Sequence, residues 1–322
     1  MYFSCFAEKR TLLHHLNLPK RNKRELMDLQ NKTHNVKIEF HADDYGLFPT
    51  QSHRILDCHR NGNLNGISVM PNSPHLMECM SDMYGFSDEV AVTVHLNLIE
   101  GRSLTEVPLL TDEEGNLNCS FGSLLLRSFL PGRDRYRQQL KQELRAQIQA
   151  IRKYFPEEKP LRLDGHAHYH MLPVVFDAMM DVVREDNLKI SYIRIPRERW
   201  SIYLPSLGKL HDFSPINLAK VLILNLLARR AERKYADVLQ HLERKLFLGV
   251  FLSGRMYYEN VIHLLPVALS LAEKLGVDLE ILGHPGGVFE QEDIAQITSP
   301  EDREFLTNDL RNRERSLFLI NL

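Results

Sequence analysis

Short β-branched runs alternate with longer helical patterns along most of the 322-residue chain, and this alternation limits the possible folds more than any other feature. Strands separated by helices cannot form tight hairpins, so they pair in parallel with the helices packed on the sheet. The strand runs are Val36 to Phe40, Gly66 to Met70, Val90 to Leu98, Leu161 to Leu163, Ile190 to Ile195 and Val277 to Leu282. The clearest helix runs from Asp134 to Phe155, where Tyr136, Leu140, Leu144, Ile148, Ile151 and Phe155 recur every three or four residues on one face. Between Trp200 and Gly254 the rhythm is broken by a segment rich in Arg and Lys, helical from Asn217 to Phe247, which reads as an insertion over 201–254. The length fits two modest domains or one large α/β barrel.

Composition narrows the class. With 25% charged and 43% apolar residues, and 40 Lys+Arg against 42 Asp+Glu, the chain is an ordinary globular protein of formal charge −2. Cys5, Cys58, Cys79 and Cys119 form no C-x-x-C pair, so neither a zinc knuckle nor a disulfide scaffold is expected, and a reducing, cytoplasmic setting is. Residues 1–35 are a basic extension without the apolar stretch of a signal peptide, and they read as a solvated arm. No nucleic-acid reader motif follows it, and no run approaches the ~20 apolar residues of a membrane span.

The chemistry concentrates where strands end. Phe40 is followed by HADDYG, Leu163 by DGHAHYH and Leu282 by GHPGG, while VHLNLIEG occupies Val94 to Gly101. In a parallel barrel the carboxyl ends of all strands open on one face, so these clusters would converge. Asp43 and Asp44 are neighbours just past a strand. On an extended backbone they point in opposite directions, so one can bind a metal while the other acts on water; alone, the pair would equally fit a helix cap. His166, His168 and His170 alternate and would line one wall if extended, with catalytic metal sites taking three protein ligands and leaving a place for water. His95 ends another strand run. His284 precedes Pro285-Gly286-Gly287, a turn able to hold an imidazole over the barrel mouth as a proton donor, or a plain loop. Arg194 orients a carboxylate or a substrate oxygen, or pairs at the surface. His14, His15, His34, His211, His241 and His263 have no partner at ligand spacing and read as surface residues. No G-x-G-x-x-G, Walker A or G-x-S-x-G sequence is present, which leaves metal-assisted hydrolysis.

In order along Val36 to Gly287, HADDYG, VHLNLIEG, DGHAHYHMLP, IRIPRE and GHPGG resemble the N-A-D-D-F-G, H-L-x-L-T-x-G, D-x-H-x-H-x-H-M-x-P, R-x-P and H-P-G blocks of the YdjC-like carbohydrate deacetylases. The resemblance implies an α/β fold, a distorted (β/α) TIM-like barrel of parallel strands with a helical insertion, as one domain over 36–322. It also implies a homodimer that removes acetyl groups from N-acetylated saccharides with one divalent metal ion, Mg²⁺ or Zn²⁺. By position, Asp44, His95 and His166 would be the metal ligands and Asp43 the general base. His284 would protonate the departing amine, with His168 or His170 as alternatives. His41 and Tyr45 stand where the family has Asn and Phe. Two other readings compete: a histidine-rich barrel phosphoesterase, which would hold two or three ions, and a carbohydrate-binding relative without catalysis.

Overall fold

The computed structural model describes residues 36–319 except 87, 211–213, 296, 298 and 299. The basic extension 1–35, with Cys5, His14, His15 and His34, and also His211, lie outside the described residues. Seven strands form one sheet: β1 Ile38–Tyr45, β2 Leu64–Val69, β3 Ala91–Leu96, β4 Leu161–Gly165, β5 Ile190–Ile193, β6 Lys245–Leu248 and β7 Asp278–Gly283. Their spatial order is β5-β4-β3-β2-β1-β7-β6, and every pairing is parallel. The α-helices are α1 Pro49–Asn61, α2 Leu76–Met83, α3 Phe121–Arg127, α4 Arg133–Arg152, α5 Pro173–Glu185, α6 Trp200–Tyr203, α7 Pro215–Lys234, α8 Ala236–Leu239, α9 Tyr258–Leu275, α10 Gln291–Ile294, α11 Pro300–Thr307 and α12 Asp309–Phe318. Among the described residues no helix is long and apolar enough to cross a membrane.

Each strand sorts its residues by the two-residue period of an extended chain. Phe40, Ala42, Ile67, Val69, Val94, Leu96, Leu161, Leu163, Leu246, Leu248, Leu279 and Ile281 are buried in one core with helix residues such as Ile55, Leu144, Ile148, Val175 and Leu264. Most intervening positions are polar, with Phe247 and Leu282 as apolar exceptions. Glu39, His41 and Asp43 alternate on β1, Thr93 and His95 on β3, Arg162 and Asp164 on β4, with Ser68 on β2, Tyr192 on β5 and Glu280 on β7, and all are buried. Side chains of non-adjacent strands meet on this face: Arg162 donates to Glu39 at 2.6 Å, Lys245 pairs with Glu39, and Tyr192 donates to Glu280. Such contacts require the sheet to be curled into a barrel whose lumen is ionic, where barrels of this kind ordinarily fill with branched apolar side chains.

Among the described residues the barrel is not closed by strand pairing. The edge strands β5 and β6 meet beside their amino ends, where Glu243 N donates to Ser191 O at 2.8 Å and Arg162 bridges to Glu243 at 3.1 Å. A cavity of about 360 Å³ occupies the seam, lined by Tyr192, Ile193, Arg197, Glu232, Lys245 and Leu246, away from the strand ends that carry the acid and histidine clusters.

Two sequence expectations change. The helical run expected to Phe247 stops at Lys234, a short α8 follows, and Lys245–Leu248 is the edge strand β6. The segment 201–254 therefore contributes a strand to the sheet instead of being wholly an insertion. Secondly, β1 continues through HADDY to Tyr45 instead of ending at Phe40, so Asp43 and Asp44 belong to the strand.

Candidate active site

The last turn of β1 sets the two acids. Asp44 has φ +66°, in the left-handed region that Asp tolerates better than most residues, and Gly46 follows at φ +97°. This break in the alternation overturns the expectation that the neighbouring carboxylates point apart. Asp43 Oδ2 lies 3.8 Å and Asp44 Oδ1 3.5 Å from the same atom, His95 Nε2.

His95 is oriented from behind. Its Nδ1 donates to Asp164 Oδ1 at 2.7 Å, so Nε2 is the nitrogen that can present a lone pair, and this buried atom has no hydrogen-bond partner. His166 Nδ1 faces Asp44 Oδ1 at 2.9 Å, and its Nε2 lies 3.1 Å from Glu100 Oε1. Asp44, His95 and His166 each offer a ligand atom, all within 4.8 Å of one another. Ligands about 2.0–2.2 Å from a shared ion lie ~3–3.5 Å apart. The 2.9 and 3.5 Å separations therefore fit a divalent cation, and an Asp-His-His donor set suits both harder and softer metals.

The remaining histidines of DGHAHYH do not form a wall. After Gly165 the chain enters a 3₁₀ turn, His166–Met171, in which Ala167 and His168 take φ of +48° and +61°. Left-handed residues destroy the alternation expected of an extended run. His168 packs edge-on to Phe247, with ring centroids 5.7 Å apart. His170 folds back under Gly165, where a Cβ would come within 2.9 Å of its ring, and its Nε2 donates to the Arg194 carbonyl at 2.9 Å. Burial, reinforced by the Arg194 charge, holds His168 well below the usual imidazole range. Burial likewise pushes His170 down to about 4, despite its bond to Arg194. Both shifts disfavour the protonated ring that an acid role for His168 or His170 would need.

Arg194, just after β5, is completely buried. Its Nη1 donates to both oxygens of Asp43 at 2.9 Å and pairs with Asp164 at 2.5 Å, while Nε donates to Glu280 at 2.8 Å. It is a carboxylate anchor and not a surface pair. Burial alone would raise the Asp164 carboxyl, but Arg194 and then His95 hold it well below the usual range. Below this layer His41 sits between Glu39 at 2.8 Å and Ser68 at 2.7 Å, and Ser68 donates to Asp164 at 2.5 Å. The carboxylates of Glu39, Asp43, Asp164 and Glu280 thus face the cations Arg162, Arg194 and Lys245 in one connected network.

His284 follows β7 directly, and its backbone N–H donates to Glu314 at 2.7 Å. Its charge helps to hold the Asp44 carboxyl low, behind the larger effects of burial, which opposes the shift, and of His166. Arg311, from the same helix as Glu314, donates to Asp44 Oδ2 at 3.5 Å. Sequence reasoning missed Arg311, Glu314, Glu100 and the structural role of His41. The signal of Arg311 and Glu314 was weak because charged residues on a helix ordinarily mark its solvated face, whereas Glu100 lies in a loop and His41 within β1. His241 and His263 are exposed, as expected.

The ring charges make a metal prediction. Burial opposes a proton on His95, but Asp164 and Asp43 push it up to about 9. Asp44 and Glu100 likewise raise His166 well above the usual range against burial. An ion-free site therefore carries protons that a cation must displace. Metal affinity is expected to climb between pH 6 and 9, by up to about tenfold per pH unit for each proton released. Calorimetry in buffers of different ionisation enthalpy measures that release, and a pH-independent affinity would contradict the ligand set.

The sequence profile described as "YdjC-like protein" matches residues 37–319. The chain belongs to the YdjC-like protein family. Among its relatives are chitooligosaccharide deacetylases of Yersinia pestis and Yersinia pseudotuberculosis, each 31% identical over 155 residues, or 46% of this YdjC-like chain. The match spans 56% of the length of those relatives. In three dimensions the chain is similar to an Enterococcus faecalis protein assigned to cellobiose-phosphate cleavage. The TM-score is 0.58 at 19% identity, over 89% of this chain and 97% of that one, which shows the shared fold.

Proposed function

We propose that this YdjC-like protein is a metal-dependent hydrolase that removes acetyl groups from N-acetylated saccharides. The observation that carries the reading is the convergence of Asp44, His95 Nε2 and His166 beside a separate, anchored carboxylate, Asp43, at the carboxyl ends of the strands. The name of the Yersinia relatives supports chitooligosaccharides as the substrate class.

Asp44, His95 and His166 would hold one divalent cation, which supplies Lewis acidity toward an amide carbonyl and makes water acidic enough to deprotonate near neutral pH. Asp43 takes the proton from the attacking water, with Arg194 fixing both of its oxygens. Asp164 keeps His95 in the tautomer that faces the reacting group. His284 gives a proton to the amine nitrogen as the C–N bond breaks. The other two groups of acids and histidines, Glu39-His41-Glu280 and His41-Asp43-Asp164, are already neutralised by Arg162, Arg194 and Lys245, which supports one ion over the two or three of a phosphoesterase. The buried free thiols Cys58, Cys79 and Cys119 support a cytoplasmic setting. Apolar side chains exposed on α7, Ile216, Leu222 and Leu226, support a homodimer.

The test is acetate release from N-acetylated mono- and oligosaccharides, before and after chelation and with Mg²⁺, Zn²⁺ or Ni²⁺ restored. Release that stops with chelator and returns at one ion per chain is expected. Phosphate release from phosphorylated sugars at two or three ions per chain, without acetate release, would sink the reading.

A further inference from the structure

We propose that Glu314 is the positioning residue of His284, so that the helix α12 is part of the active site and not only a cover for the barrel. The inference rests on His284 being the proton donor of the proposed deacetylation.

The placement begins with helical spacing. Arg311, Glu314 and Phe318 stand at i, i+3 and i+7, on one face of α12, and all three are buried. Phe318 seats the helix: its ring packs edge-on to Phe40 at 6.4 Å, its carbonyl accepts from Asn63 N at 2.7 Å, and a Cβ on Gly283 would come within 2.8 Å of it. Arg311 spans Gly286 O at 3.4 Å and Asp44 Oδ2 at 3.5 Å. Glu314 lies between them, fully buried, with Oε1 accepting from Met256 N at 2.9 Å and Oε2 accepting from His284 N at 2.7 Å. The same Oε2 is 3.6 Å from His284 Nδ1, so one oxygen faces both the backbone and the ring of His284.

An apolar residue would pack this position without the cost of burying a carboxylate. A carboxylate facing Nδ1 instead fixes the ring's tautomer and stabilises the imidazolium, the role of the orienting acid in histidine-dependent catalysis. Nε2 is then the nitrogen left for transfer. As the tetrahedral centre collapses, the C–N bonding pair stays on nitrogen, nitrogen takes the Nε2 proton, and His284 is left neutral beside Glu314. Solvent restores that proton, and Asp43 returns to solvent the one it took from water.

Two acetylated probes separate positioning from general support. A chitooligosaccharide loses an amine that must be protonated, whereas 4-nitrophenyl acetate loses a phenolate that need not be. In the metal-loaded enzyme, Glu314→Gln is expected to lower kcat on the saccharide by about 10- to 100-fold, with KM changed little and ester hydrolysis within about twofold. In a His284→Ala background the same substitution should cost nothing further. Should the Gln variant fail to fold, Glu314→Asp keeps the charge and should show a smaller loss with the same amide-over-ester bias. Equal losses on both probes, or multiplicative losses in the double variant, would overturn the positioning role while leaving the deacetylase reading intact. A wild-type enzyme that releases no acetate from any saccharide would overturn the deacetylase reading and the role of His284 together.

Discussion

Asp43→Asn is expected to lower kcat for acetate release by about 10²- to 10⁴-fold while the protein still binds one divalent ion, because the substitution removes a proton acceptor and no proposed ligand. The surroundings make this a demanding test. Asp43 accepts from Arg194 through both oxygens, and an amide in its place keeps one acceptor and turns a donor toward a guanidinium. Some loss of stability, about 1–3 kcal/mol, should accompany the change. Catalysis and structure separate cleanly if ion binding and the melting temperature are measured alongside the rate. Full metal-dependent activity in this variant would remove Asp43 from the role of base, and loss of the ion would move it among the ligands.

The second large effect concerns Arg194. Arg194→Met leaves Asp43, Asp164 and Glu280 buried around a missing cation. Breaking a buried pair from one side typically costs 3–5 kcal/mol, and here three acids share the one partner. At roughly 2–4 °C per kcal/mol for a domain of comparable size, the melting temperature should fall by about 6–20 °C. The deficit has a definite pH dependence. Burial would raise the Asp164 carboxyl, but Arg194 outweighs it and holds the group below its unfolded value. That stabilisation is present above the unfolded carboxylate value, ~3.9, and is lost as pH falls through the lower folded value. The gap between wild type and variant should therefore be widest near pH 7 and narrow in acid. Arg194→Lys restores the charge but not the planar fork and should recover only part of the loss. A fall of less than about 2 °C for Arg194→Met would mean that the acids find other partners or protons.

Much of this architecture can be read from the chain, and the reasons for the exceptions are physical. The parallel sheet follows from β-branched runs spaced by helical patterns, and the ends of β4 and β7 coincide with the DGH and GHP clusters. The grouping of Asp44, His95 and His166 follows from strand ends sharing one face. By contrast, β6 is four residues long and follows a basic helix, so its Leu246 and Leu248 look like the last turn of that helix. Left-handed backbone at Asp44, Ala167 and His168 carries at most a weak local signature, because even Asp and His, which tolerate it better than most residues, ordinarily continue extended or helical. That backbone puts the two acids together and takes His168 and His170 away from the group formed by Asp44, His95 and His166. The polar lumen is hidden for another reason: alternating polar residues usually face water, and only partners on remote strands show that Glu39, Arg162 and Tyr192 face one another.

The same remoteness bears on when the proposed site is assembled during synthesis. Arg162 meets Glu39 across 123 residues, Lys245 meets Glu39 across 206, and Arg311 meets Asp44 across 267. Such contacts cannot reward the closure of their loops until both ends have been made, so topology delays them. A nascent chain that has emerged only as far as β7 has every proposed metal ligand but not the residues that hold Asp44 and His284 from α12. Its lumen acids would already face Arg162, Arg194 and Lys245, but Asp44 would lack Arg311 and the proposed metal site would be less firmly held. In the proposed deacetylase, activity therefore depends on synthesis through α12, and a ribosome-stalled chain ending before Asp309 should already hold strands while remaining inert.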